Sequence, residues 1–271
     1  MDHATPAARI LLTLFGVVIV TTIVLAQRGR QMFIRRIPGL SAIDEAVGRA
    51  TEMGRPILTS IGLGGLDVVT LQALGIVSSI AHTAARYGNR MILPVIAPPL
   101  VPVAEEAVRS AYTAAGRPEA FRSEDILFLS SRQFAFAAGV AGLINREKVA
   151  SIFLFGTFYA ESLIIAENGN RVGAIQVAGT PSTTQIPFFI AACDYVIIGD
   201  EFYAATAYLT RQPTLLGSLV GQDIVKGVLL ACILLGALLL SLGVPLFLNV
   251  FADKAVPLAD MLHAAQKAAG K

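Results

Sequence analysis

Apolar residues follow two rhythms along this chain. At its ends they run unbroken: residues 10–26 (ILLTLFGVVIVTTIVLA) and 228–252 (VLLACILLGALLLSLGVPLFLNVFA) hold no Asp, Glu, Lys or Arg. As a helix each reaches across about 30 Å of hydrocarbon, so both predict transmembrane spans. Between them, short apolar runs end in small or hydroxyl residues and alternate with longer helical segments. The runs predict strands at 57–61, 91–97, 126–130, 149–155, 174–177 and 195–198. The segments between predict helices at 67–87, 101–115, 132–145, 158–167, 183–192 and 201–209. An earlier helix is expected at 41–53, with Ser41 as N-cap, Asp44 three positions on, and Gly54 as a stop ahead of Pro56.

Strands alternating with helices of this length call for right-handed crossovers and a parallel sheet covered on both faces. Near-continuous apolar runs such as SIFLF and YVIIG suit full burial. The expected fold is therefore α/β, a doubly wound, mostly parallel Rossmann-like sheet flanked by one N-terminal and one C-terminal transmembrane helix. Residues 185–199 are the one ambiguous stretch. They are short for a span, carry Pro187 early and hold Asp194 near their centre, which favours a buried helix, a turn and a strand. The organisation read from this is a tail at 1–9, a span at 10–27, a basic juxtamembrane segment with a short helix at 28–55, an α/β domain at 56–222, a span at 226–252 and a short amphipathic tail at 253–271.

Charge orients the layout. Arg28, Arg30, Arg35 and Arg36 follow the first span at once, as the flank of an anchor does and a signal-peptide cleavage site does not. Cytoplasmic flanks carry the excess of Lys and Arg, so the central domain is expected in the cytoplasm at the cell membrane, with both termini outside. Around the second span Arg211 and Lys226 balance Lys254 and Lys267, so its direction follows from the first. A net charge of +2 with no basic face in the central region argues against nucleic acid as a partner. Cys193 falls in the domain and Cys232 in the second span, which suits a reduced compartment.

In an open parallel sheet the ligand crevice lies beyond the carboxyl ends of the strands, so the residues after each strand are the candidates for binding. Gly62, Gly64 and Gly65 form a glycine turn ahead of a helix, where backbone N–H groups can meet phosphate. Asp67 stands where G-x-G-x-x-G needs its third glycine, and a carboxylate there caps the helix instead. Thr180, Ser182 and Thr183 form the stronger binding candidate, a hydroxyl cluster before another helix. No lysine of a P-loop accompanies them, and no cofactor is implied. No metal-ligand spacing occurs: His3 and His263 fall outside the domain and His82 stands alone on a helix. No catalytic set emerges either, the one acid worth testing being Glu161, on an otherwise apolar segment after the fourth strand.

In the spans, Gly227 with Ala231 and Ala237 with Ser241 give small-xxx-small spacing, while Gly243 and Pro245 predict a bend. Residues 256–268 can form an amphipathic helix on the outer face.

The juxtamembrane stretch Ile37 to Pro56, IPGLSAIDEAVGRATEMGRP, is similar to that of an uncharacterised prokaryotic membrane-protein family. The resemblance implies an N-terminal anchor leading into an α/β domain, with a further span near the C-terminus, and brings no catalytic residues. The expectation is a non-enzymatic integral membrane scaffold or accessory subunit. Its partners would be the lipid bilayer and further copies of itself or other membrane proteins, since a tether raises effective concentration in the membrane plane. The alternative is a membrane-tethered sensor that binds a small anionic, nucleotide- or phosphate-like ligand at the carboxyl ends of the strands.

Overall fold

The computed structural model describes residues 6–30 and 38–242. The chain divides into two compact units, one of Met1–Ile34 with Gln212–Lys271 and one of Arg35–Arg211.

The first unit is a helical hairpin of α1 (Pro6–Gln27) and α9 (Pro213–Ser241). Two glycines one turn apart allow the helices to meet. A Cβ on Gly217 would overlap the Ile23 Cα, and one on Gly221 would press on the Ile19 Cα and the Thr22 hydroxyl. Four residues forward on α9 thus match four back on α1, so the helices run antiparallel. Close backbone approach through small residues is how helices associate where lipid removes the hydrophobic driving force. Gly227 takes no part in this hairpin: nothing in the chain lies within 4 Å of a Cβ built there. Thr13, Thr21 and Thr22 turn their hydroxyls back to carbonyls of α1 itself, which satisfies them without water. Both helices are long and apolar enough to cross a membrane, and by that measure this is a membrane protein. The expected bend at Gly243 and Pro245 and the amphipathic segment at 256–268 lie outside the described residues.

The second unit is built on six parallel strands: β1 (Ile57–Gly62), β2 (Met91–Val95), β3 (Ile126–Phe128), β4 (Ser151–Thr157), β5 (Ile175–Thr180) and β6 (Tyr195–Ile198). Their order is β3-β2-β1-β4-β5-β6, the doubly wound arrangement that reverses direction between β1 and β4. One face is covered by α2 (Pro38–Met53), α3 (Val68–Tyr87), α4 (Leu100–Ala114) and α8 (Glu201–Thr210). The other carries α5 (Gln133–Glu147), α6 (Glu161–Val172) and α7 (Ile186–Ala192).

The strands alternate between two apolar cores. In β4, Phe153 and Phe155 enter the first core while Ile152 and Leu154 enter the second; in β1, Ile57 and Ile61 oppose Leu58. Both faces being dry, the strands read as unbroken apolar runs. α3 is also long and apolar enough for a span, but half of it is buried within the domain, against α4, α8 and the sheet.

Several boundaries differ from the sequence reading. Ser41 is not an N-cap: α2 begins at Pro38, whose ring suits a first turn where an amide hydrogen has no acceptor. Gly54 does end it, with Gly54 N donating to Thr51 O and Arg55 N to Ala50 O. The buried residues of α2 belong to the first core, and Ser151 Oγ donates to Ala46 O, so this helix is part of the domain rather than a lead-in to it. At the other end the unit closes at Arg211, because Pro213 already starts α9. β5 runs on to Thr180 because Gly179 and Thr180 pair with Ile197 and Ile198.

Candidate functional site

The carboxyl edge of the sheet, where β1 and β4 part, is where this fold places ligands. Here the two strands draw together instead. Gly62 and Gly156 adopt φ of +74° and +136°, a region side chains rarely enter. A Cβ on Gly62 would strike the Thr157 carbonyl, and one on Gly156 the Ile61 carbonyl. The register slips between Ser60 and Gly62, and Leu63 N then donates to Thr157 O at 2.7 Å. Glycine at these positions lets backbone meet backbone.

The rest of the glycine turn is equally self-contained. Asp67 caps α3, its Oδ1 accepting from Thr70 N at 2.7 Å, so a carboxylate stands where an anion would meet the helix. Gly64 is buried against the Thr70 hydroxyl, whereas Gly65 is exposed with open space around it. The Thr70 Oγ1 and, inside β1, the Thr59 Oγ1 are buried without a hydrogen-bond partner among the described residues.

Thr180 ends β5 and Ser182 and Thr183 follow it, so β4 separates them from the glycine turn. Thr180 is buried and its Oγ1 accepts from Ser182 N at 3.2 Å; Ser182 Oγ and Thr184 Oγ1 bond to each other at 2.9 Å; Thr183 is exposed. These contacts are those of a loop turned in on itself. α7, which follows, has only seven residues.

Glu161 opens α6 and is fully buried. Both its oxygens are engaged: Oε1 accepts from Tyr159 N at 2.8 Å and Oε2 from Gln133 Nε2 at 2.7 Å. Ser162 Oγ donates to Tyr159 O at 2.7 Å, and Phe158 meets Phe189 edge to face. Glu161 therefore joins α5 to the β4–α6 connection. Gln133 is the partner that sequence reasoning missed, lying 28 residues away.

Of the remaining reactive groups, burial pushes the Cys193 thiol up to about 12, which keeps it protonated. No group of three or more His, Cys, Asp or Glu among the described residues could hold a metal ion.

What this edge does present is apolar surface. Leu66 on the β1–α3 turn and Val68 at the start of α3 are each 66% exposed, and Phe134 at the start of α5 is 60% exposed. Tyr159, Phe188 and Ile198 are exposed after β4, in α7 and at the end of β6. Five come soon after a parallel strand and Ile198 ends one, so the topology sets all six toward the carboxyl edge of the sheet.

A family model described as a domain of unknown function, DUF6754, matches residues 2–251. No curated protein and no solved structure matches the chain.

Proposed function

We propose that this chain, which belongs to the DUF6754 family, is an integral membrane scaffold or accessory subunit with its α/β domain at the cytoplasmic face. The observation that carries this reading is the rim of Leu66, Val68, Phe134, Tyr159, Phe188 and Ile198. Exposed apolar residues scattered singly are ordinary, but a set at one edge of the sheet, from the connections, the helix starts and a strand end, supports a contact surface there. The domain is joined at both ends to helices apolar enough to span a bilayer, so contacts too weak to hold in solution suffice in the membrane plane. The arginines at 28, 30, 35 and 36 support the cytoplasmic placement. The rim serves self-association or docking on another membrane protein.

The test uses the full chain, extracted from its own membrane in mild detergent. The wild type is expected in a larger assembly than a Phe134→Ser/Tyr159→Ser double variant that keeps the same circular dichroism and Tm. Equal sizes for the two would overturn the rim as the contact surface. A reporter fused after residue 36 that reads out on the exterior would overturn the orientation.

A small anionic ligand is the second reading from the sequence. Asp67 on α3 and the inward bonds of Thr180 and Ser182 weigh against it at the positions where it was expected.

A further inference from the structure

The register of the hairpin creates a mismatch of depth. Gly217 lies on Ile23 and Gly221 on Ile19. Carried one turn further, this antiparallel register sets Asp223 beside about residue 17 of α1 and Lys226 beside about residue 14. Both levels fall inside the uncharged run 10–26, not in front of it. By sequence alone Asp223 and Lys226 precede the second apolar run and look like residues of its flank. Packed against α1, they stand level with a run long and apolar enough to cross a membrane. Charged groups at that depth are costly and are held where another protein surface meets them.

Their direction around the helix says which surface. At 3.6 residues per turn, Asp223 and Lys226 lie within about 60° of one another, on the side of α9 away from Gly217 and Gly221. Gln222, Asp223 and Lys226 are all exposed there, and Gln222 Nε2 reaches Ser218 Oγ at 3.5 Å. This face thus presents an acid, a base and an amide in one stripe, with the exposed aliphatic residue Leu230 on the same side.

We propose that this face binds a second copy of the same hairpin across a two-fold axis, Asp223 of each copy meeting Lys226 of the other. The charge pattern is self-complementary: a two-fold axis repeats one patch on both sides, so a stripe carrying both signs satisfies itself twice. A lysine ammonium has three N–H donors, so a carboxylate from the second copy adds to whatever else it holds. Polar side chains between membrane helices act as such bridges, and the amide of Gln222 can bond across the same seam. The proposal rests on the membrane reading above and supplies its self-association with a contact separate from the rim.

Charge exchange in the full chain tests it. Donor- and acceptor-labelled copies are mixed in lipid nanodiscs or vesicles, and energy transfer reports association. Wild-type copies are expected to associate. Asp223→Lys alone, or Lys226→Asp alone, places like charges across the axis and should weaken self-association at least ten-fold. Mixing the Asp223→Lys chain with the Lys226→Asp chain should restore it, because every pair is again of opposite sign. The restored mixture also shows that both variants insert and fold. Variants that associate like wild type, a mixture that stays apart, or wild-type copies that do not associate would each overturn the proposal. Association that survives charge reversal but is lost with Phe134→Ser/Tyr159→Ser would assign self-association to the rim, leaving the scaffold reading in place. Capture of a different membrane protein, lost on charge reversal while wild-type copies stay apart, would give this face to that protein and overturn the two-fold pairing.

Discussion

The amide of Leu63 donates to the carbonyl of Thr157 at 2.7 Å, closing the gap between β1 and β4 at the point where the winding of the sheet reverses. Two glycines allow it, Gly62 from one strand and Gly156 from the other. Gly62→Ala would add a Cβ against the Thr157 carbonyl in a left-handed backbone. The expected cost is about 3 kcal/mol or more. Thermal unfolding of the full chain in detergent should show a Tm lower by on the order of 5–10 °C. A Tm within a degree of wild type would mean that the strands do not meet this way.

Thr59 gives the opposite sign. Its hydroxyl is buried in β1 without a partner among the described residues, so the fold carries the desolvation of that oxygen with no bond from them in return. Thr59→Val keeps the shape and the β-branch. We expect it to be neutral to stabilising by about 1 kcal/mol, read as an unchanged or raised Tm. Loss of stability would reveal a bond to this hydroxyl.

Glu161 is expected to behave as a structural acid. Glu161→Ala strands the Tyr159 amide and the Gln133 side chain, at a cost of about 1–3 kcal/mol. Gln133→Ala removes one of the same bonds. The double variant should therefore lose less than the sum of the two single losses, which a double-mutant cycle on denaturant midpoints measures. Additive losses would show that the two side chains act independently.

At the opposite edge of the sheet, Arg90 ties two acids together. Its Nε donates to both oxygens of Asp125 at 3.0 Å, and a terminal nitrogen reaches Glu147 at 2.9 Å. Arg146, and then Arg90, hold the Glu147 carboxyl below its ordinary value of 4.5. A lowered folded pKa contributes stability above the unfolded value, and that contribution fades as pH falls through the folded one. Between pH 7 and pH 3 the Tm of Glu147→Gln should therefore fall less than that of wild type, the two curves converging in acid. Parallel curves would remove Glu147 as a source of acid sensitivity.

Much of the fold was legible because strand burial is a local pattern. The run 149–155 reads as a strand from its own residues, and β4 sits at Ser151–Thr157. The Asp67 cap was legible for the same reason, since donor and acceptor lie three residues apart. Ser41 misled because capping preference competed with Pro38, which starts the helix a turn earlier. Glu161 stood out as an acid in an apolar stretch, but its partner Gln133 carries no mark in sequence. Only the packing of α5 against α6 brings them together.

Sequence by itself determined the strand and helix alternation, the two uncharged runs and the acid at the head of α3, because each follows from residues within a turn or two of one another. Tertiary structure alone decided that β1 neighbours β4, that Gly217 and Gly221 rather than Gly227 carry the hairpin, and that Asp223 stands level with the middle of α1. Those are questions of which surface meets which. Glycine, a hydroxyl or a carboxylate has the same local signature whether it faces a carbonyl, a second helix or open space, and the answer comes only when distant segments pack.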